Sequence, residues 1–165
     1  MFREMRRKNQ ILSQLEVADI LCRGTSGVLA LLGDNNYPYA VPMSYVYEGN
    51  KIYFHCARSG HKLDAIRRNS KASFCVIDQD QIVPEEYTTY FRSVIAFGQM
   101  QIIEDNTEKR AAIEKIAVKY APETSGASRD NVINSEWNSL CILRMDIEHM
   151  TGKEAVELAK KKHLQ

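Results

Sequence analysis

Between Tyr37 and Leu63 the chain reads YPYAVPMSYVYEGNKIYFHCARSGHKL, and here residue types and spacing suit chemistry best. Gly60-His61-Lys62 opens a short predicted helix over 61–69. Backbone N–H groups at such a start point outward at the positive end of the helix dipole, where they favour an anion. Arg58, His61 and Lys62 add cationic or donor side chains, which makes the segment a candidate phosphate site. A solvated loop with three polar residues is the equally weighted alternative, because short basic motifs are weak signals. His55 is the second residue of interest, since its ordinary pKa of about 6.5 suits proton transfer near neutral pH. Strand alternation puts Ile52, Phe54 and Cys56 on one face, with Tyr53 and His55 on the other. A hydrogen-bonded structural histidine is the competing reading. His149 and His163 are expected on the surface, and His55 and His61 have no third ligand at metal spacing, so no metal site is expected.

The elements that must position these residues follow from periodicity. Residues 10–22 place Ile11, Leu12, Leu15, Ala18, Leu21 and Cys22 on one helical face, with Gly24 as a stop signal. A buried strand over 27–33 is followed by Asp34-Asn35-Asn36, residues that tolerate a left-handed turn. The strand over 37–47 carries Pro38 and Pro42, which lack ladder donors, so it belongs at an edge or is irregular there. Glu48-Gly49-Asn50 turns into a strand over 51–56. Further strands are predicted over 71–78, 88–104 (with a bend at Gly98) and 139–148. A helix capped near Asp105 runs to Tyr120 with Ile113, Ile116, Ala117 and Tyr120 on one face. Residues 121–136 read as loop or broken helix, and a Lys-rich helix over about 152–162 ends the chain. Consecutive hairpins without a crossover give an α+β fold with about six mainly antiparallel strands, and a small barrel is the natural way to protect the edges.

Composition narrows the function. The chain has 165 residues with 22 basic and 21 acidic side chains, a net charge of +1. That length suits a single domain over 1–165, and that charge offers no field for nucleic acid or an anionic membrane. Cys22, Cys56, Cys75 and Cys141 form no C-x-x-C pair and are expected as reduced thiols, which fits a cytoplasmic protein. No apolar leader or run of membrane-spanning length is seen.

The order of elements and motifs resembles the FMN-binding split-barrel superfamily typified by pyridoxamine-5′-phosphate oxidase. It is most similar to the branch of nitroimidazole reductases. The resemblance rests on Tyr37-Pro38-Tyr39-Ala40-Val41-Pro42, Ile52-Tyr53-Phe54-His55, Gly60-His61-Lys62-Leu63, Tyr90-Phe91-Arg92-Ser93-Val94 and Thr151-Gly152-Lys153, spread over about residues 5–155. It implies a six-stranded antiparallel split β-barrel with flanking helices. It also implies a homodimer with FMN at the subunit interface, and a small-molecule substrate. The implied cofactor contacts are Pro42, Met43, Ser44 and Tyr45 along the ring, then Phe54, His55, Cys56, Ala57 and Arg58. His61 and Lys62 follow at the phosphate with Leu63 as a further contact, and Ser93 and Val94 come from the long strand. Trp137, the only tryptophan, is either a cover for the ring from the partner subunit or an ordinary core anchor. His55 is the candidate catalytic residue. Without a Rossmann glycine fingerprint, NAD(P)H as electron donor has to bind transiently at the flavin. A second phosphate on the substrate would need another basic cluster, and none is visible in the sequence. Two other classes stay open: a non-catalytic flavin- or haem-binding protein, with His163 as a candidate iron ligand, and an interaction module without flavin.

Overall fold

The computed structural model describes residues 1–162. Ser13 opens its first helix, α1 (Gln14–Arg23), with a reciprocal cap in which Ser13 and Glu16 satisfy each other's backbone donors. That start is later than the periodicity suggests, so the buried face is Val17, Ile20 and Leu21, whereas Leu15 and Cys22 are exposed. Next come β1 (Ser26–Leu32), a turn with Asn35 and Asn36 at positive φ, and β2 (Pro38–Ser44).

The stretch predicted as one strand over 37–47 divides at Tyr45, which separates β2 from the short β3 (Val46–Glu48). At the break the Tyr45 N–H donates to the Tyr120 hydroxyl at 2.8 Å and leaves the ladder. The Tyr45 ring is fully buried, edge-on to Phe74 at 4.9 Å. The sheet therefore has seven strands where six were expected.

β4 (Lys51–Ala57), α2 (His61–Arg68), β5 (Lys71–Val83) and β6 (Thr88–Ile103) follow, and β6 shifts register at Gly98 as expected. A side chain there cannot fit, because a Cβ at Gly98 would lie 2.1 Å from the Asp146 carbonyl oxygen. α3 (Asn106–Tyr120) is capped by Asp105, which accepts the Glu108 N–H at 2.8 Å. The segment over 121–136, read as loop or broken helix, contains α4 (Gly126–Glu136), capped by Ser125. Its faces carry little apolar patterning, so only its packing on α3 reveals it. β7 (Leu140–Glu154) continues six residues past the predicted end, and α5 (Val156–Lys162) closes the described chain.

Among the described residues all strand pairs are antiparallel, in the order β2-β1-β5-β6-β7-β4-β3, and no ladder joins the two ends. The curled sheet encloses one large core that includes Leu29, Phe54, Phe74, Val94, Leu143 and Met145, with α1 and α2 packed against it. A second cluster lies on the opposite face of β4, β6 and β7. There Tyr53, Ile103 and Ile142 meet Ala112 and Ile116 of α3. Among the described residues no helix is long and apolar enough to cross a membrane.

Candidate functional site

Strand β4 turns Ile52 and Phe54 into the main core, with half-buried Cys56 beside them. Tyr53 joins the second cluster, and His55 opens on the same side into a cavity of about 670 Å³. The cavity wall is mostly apolar. Ile113, Ile116, Ala117 and Tyr120 of α3 form one side, and Val132, Ile133 and Glu136 of α4 another. Ser44, His55, Cys56 and Ala57 form the strand side. The α3 face legible in the sequence thus covers His55, and α4 completes the lid. Crowding by these walls lowers the His55 pKa from its ordinary value, with the Lys62 charge adding to the effect. The neutral imidazole, one nitrogen donating and one accepting, is therefore the resting form at neutral pH.

Tyr120 fixes the lid to the barrel. Its hydroxyl accepts the Tyr45 N–H and has the Tyr45 carbonyl at 2.9 Å and the Thr25 carbonyl to donate to. Next to it Lys119 donates to the Gly24 carbonyl at 2.5 Å and lies over the Tyr45 ring at 4.4 Å.

Cys56 and Ala57 also line a smaller pocket of about 220 Å³ with Ser59, Gly60, His61, Lys62 and Leu63. Gly60 has φ of 127°, a conformation that favours glycine, and no side chain caps the α2 start. The Leu63 and Asp64 amides donate to the Gly60 carbonyl, which leaves those of His61 and Lys62 for an anion, and half-buried Lys62 lies beside them. His61 is already engaged: its ring stacks on Tyr39 at 4.2 Å, and its Nε2 lies 3.6 Å from Asp34. Arg58 turns away and donates to the Asn138 carbonyl at 3.1 Å, lining a different cavity. Of the three side chains expected at the phosphate, Lys62 is the unencumbered cation that faces this pocket.

The remaining predicted contacts are distributed unevenly. Met43 and Tyr45 point into the core, as do Phe54, Leu63 and Val94. For these, only the backbone is available to a ligand. Burial, with Cys141 opposite it on β7, pushes the Cys56 thiol up to about 11. It stays protonated at neutral pH, which suits packing better than nucleophilic attack. Pro42 and Ser93 lie on the outer sheet face; Pro42 is two residues from Ser44 of the cavity wall, whereas Ser93 is remote from it. Ile103, not Ser93, shares a β7 partner with His55, so ten residues of β6, about 30 Å, separate Ser93 from the cavity. Trp137 packs within its own chain against the second cluster, beneath the Lys109 ammonium at 4.2 Å. His149 stacks on Phe2 and is half-buried, and His163 lies outside the described residues. Among the described residues no group of three His, Cys, Asp or Glu side chains is placed to hold a metal ion.

An apolar cavity with one imidazole thus shares Cys56 and Ala57 with the smaller pocket at an uncapped helix start. Residues 13–154 match the family model for pyridoxamine 5′-phosphate oxidase. The chain belongs to that family. Solved structures of similar fold include a candidate 5-nitroimidazole antibiotic resistance protein from Bacteroides thetaiotaomicron, 21% identical, with a TM-score of 0.72 over 93% of this chain and 96% of that one. A conserved hypothetical protein from Mycobacterium tuberculosis is 19% identical, with a TM-score of 0.80 over 98% and 94% of the two chains. An FAD-binding protein from Mesorhizobium loti is 23% identical, with a TM-score of 0.65 over 88% and 97%. No curated protein matches the sequence. The likeness to these structures carries the α+β, antiparallel split-barrel architecture.

Proposed function

We propose that this protein is an FMN-dependent oxidoreductase. In this reading a homodimer passes electrons from NAD(P)H to a small acceptor, such as a nitroheterocycle, in the cytoplasm. The observation that carries the proposal is the apolar cavity opening onto His55, which shares Cys56 and Ala57 with the pocket at the uncapped start of α2. The volume suits a ring ligand, and the α2 amides with Lys62 suit one phosphate. Bound flavin supplies the exchange of two electrons between donor and acceptor.

The chain's own residues shape and shelter that chemistry. Ile113, Ile116 and Ala117 exclude water from the slot. His55, neutral at rest, donates a hydrogen bond to substrate or exchanges a proton at its ring nitrogen. Lys62 holds the phosphate and keeps positive charge near the imidazole.

The outer face of the sheet supports a dimer. Register aligns Pro42, Val28, Cys75 and Ile95 in a row across β2, β1, β5 and β6. Ile77 lies beside Ser93 in an adjacent row, and Val28, Ile77 and Ile95 are all exposed in the single chain. Covering this strip with a second copy buries it, and Ser93 of one protomer then approaches a cavity only across that interface.

The absorption spectrum of the purified protein tests the assignment. Flavin bands with about one FMN released per chain are the expected result. A Soret band, or a colourless protein that takes up no added FMN, would end it.

A further inference from the structure

A second cavity, of about 490 Å³, lies where the end of β6, the first turn of α3 and the loop before β7 meet. Its wall brings together Arg58, Arg67 and Lys109 with the indole of Trp137, residues that are far apart in sequence. Arg67 already has a partner in Asp64 at 3.1 Å. The other two cations do not. Arg58 donates to the Asn138 carbonyl at 3.1 Å, and Lys109 donates to the neighbouring Trp137 carbonyl at 2.9 Å. Among the described residues neither has a carboxylate within ion-pair distance. Glu104 also lines the cavity, but it is exposed and forms no ion pair with them.

Lys109 is the more telling of the two. It is only 8% exposed, and a buried ammonium is normally paired with an acid. Burial lowers its pKa, and the nearby Arg58 charge lowers it further, so the two cations repel across the same cavity. One carbonyl oxygen uses a single Lys109 donor of the three available. The Trp137 ring face at 4.2 Å offsets part of this repulsion, and an anion would relieve the rest. The volume exceeds what a bare anion needs and falls in the range of small-molecule sites. Trp137, half-buried and carrying the Lys109 ammonium over its ring at 4.2 Å, adds an aromatic wall whose accessible part a flat ring can contact.

We infer that this cavity is a second ligand site, for a nucleotide whose phosphate is held by Arg58 and Lys109 and whose base lies against Trp137. The site is separate from the slot over His55: it shares only Leu140 with that cavity, and it lies beyond the Trp137–Ser139 loop. The inference stands whether or not the slot holds flavin.

Trp137, the chain's only tryptophan, makes the test direct. The full-length protein as purified is titrated with ADP, adenosine and inorganic phosphate while Trp137 emission is followed. ADP should give a saturable change that inorganic phosphate competes away, and adenosine should bind at least about tenfold more weakly, as loss of a charge-assisted contact predicts. Lys109→Met should weaken ADP by about tenfold or more, and Lys109→Arg should restore most of it. The melting temperature of each variant shows whether the fold is intact, and flavin content shows whether the other site is untouched. Adenosine binding as tightly as ADP, no saturable response to ADP, or unchanged ADP affinity in a folded Lys109→Met protein would each overturn the inference.

Discussion

His55 receives two opposing influences. Its strand position opens it to the cavity, while the surrounding walls and the Lys62 charge disfavour its protonated form. If it serves the reaction, His55→Ala should keep FMN and the melting temperature but slow reoxidation of reduced protein by a nitro compound by about 10²-fold. Stopped-flow timing of the two half-reactions separates this from a structural role, in which the variant reoxidises normally and melts several degrees lower. The lowered pKa also has a signed effect on stability. Above about pH 6.5 the imidazole is neutral in both folded and unfolded chains. As pH falls below that value the unfolded chain takes up a proton first, so stability is lost progressively until the lower folded-state pKa is reached. His55→Asn should flatten that part of the stability–pH curve, measured by denaturant unfolding. At Lys62, replacement by Ala should weaken FMN by about 1.5–3 kcal/mol, the usual range for a hydrogen bond to a charged group. The same change should raise the His55 pKa in an NMR titration, without full return because burial remains. Unaltered FMN affinity in Lys62→Ala would move the phosphate elsewhere.

At the scale of elements, α3 determines whether there is a cavity at all. One face of the helix packs on the second cluster through Ala112 and Ile116, and its far end is tied by Tyr120 to the break between β2 and β3. The tie uses a side chain to satisfy an amide that the ladder has abandoned. Tyr120→Phe leaves that Tyr45 N–H without its acceptor and should cost about 1–3 kcal/mol in denaturant unfolding. Because Tyr120 also lines the slot, amide exchange over 113–121 should quicken in the same variant. Equal stability and unchanged exchange would mean that packing alone holds the helix. The prolines of β2 make sense at this scale too. The strand is an edge of the sheet, and its unpaired side does not need every donor.

For the whole molecule, the question is what covers the strip formed by Pro42, Val28, Cys75 and Ile95. A dimer of about 38 kDa, twice the 18.9 kDa chain, is expected in light scattering. Ile95→Glu should release monomers, because a charge would have to be buried without a partner. It should release FMN as well if both protomers complete each site. Monomeric parent protein that retains FMN would contradict the shared-site arrangement.

Much of this architecture was legible in the chain. Turn residues at 34–36, the bend at Gly98 and the apolar face of α3 each follow from local chemistry, since φ preference and side-chain period act over a few residues. Alternation along β4 likewise assigned His55 and Phe54 to opposite faces. The motif at Gly60-His61-Lys62, with the other segments, was sufficient for the family. Other features needed the tertiary fold. Tyr45 breaks a strand because of a hydroxyl 75 residues away. α4 lacks an amphipathic signature and exists through its neighbour. Arg58 appeared to belong with His61 and Lys62, yet it faces Lys109 and Trp137 across another cavity. The basic cluster missing from the sequence arises only there. Sequence determines local conformation because backbone and side-chain preferences are short-ranged. Which charges share a cavity depends on long-range packing, and spacing along the chain does not encode it.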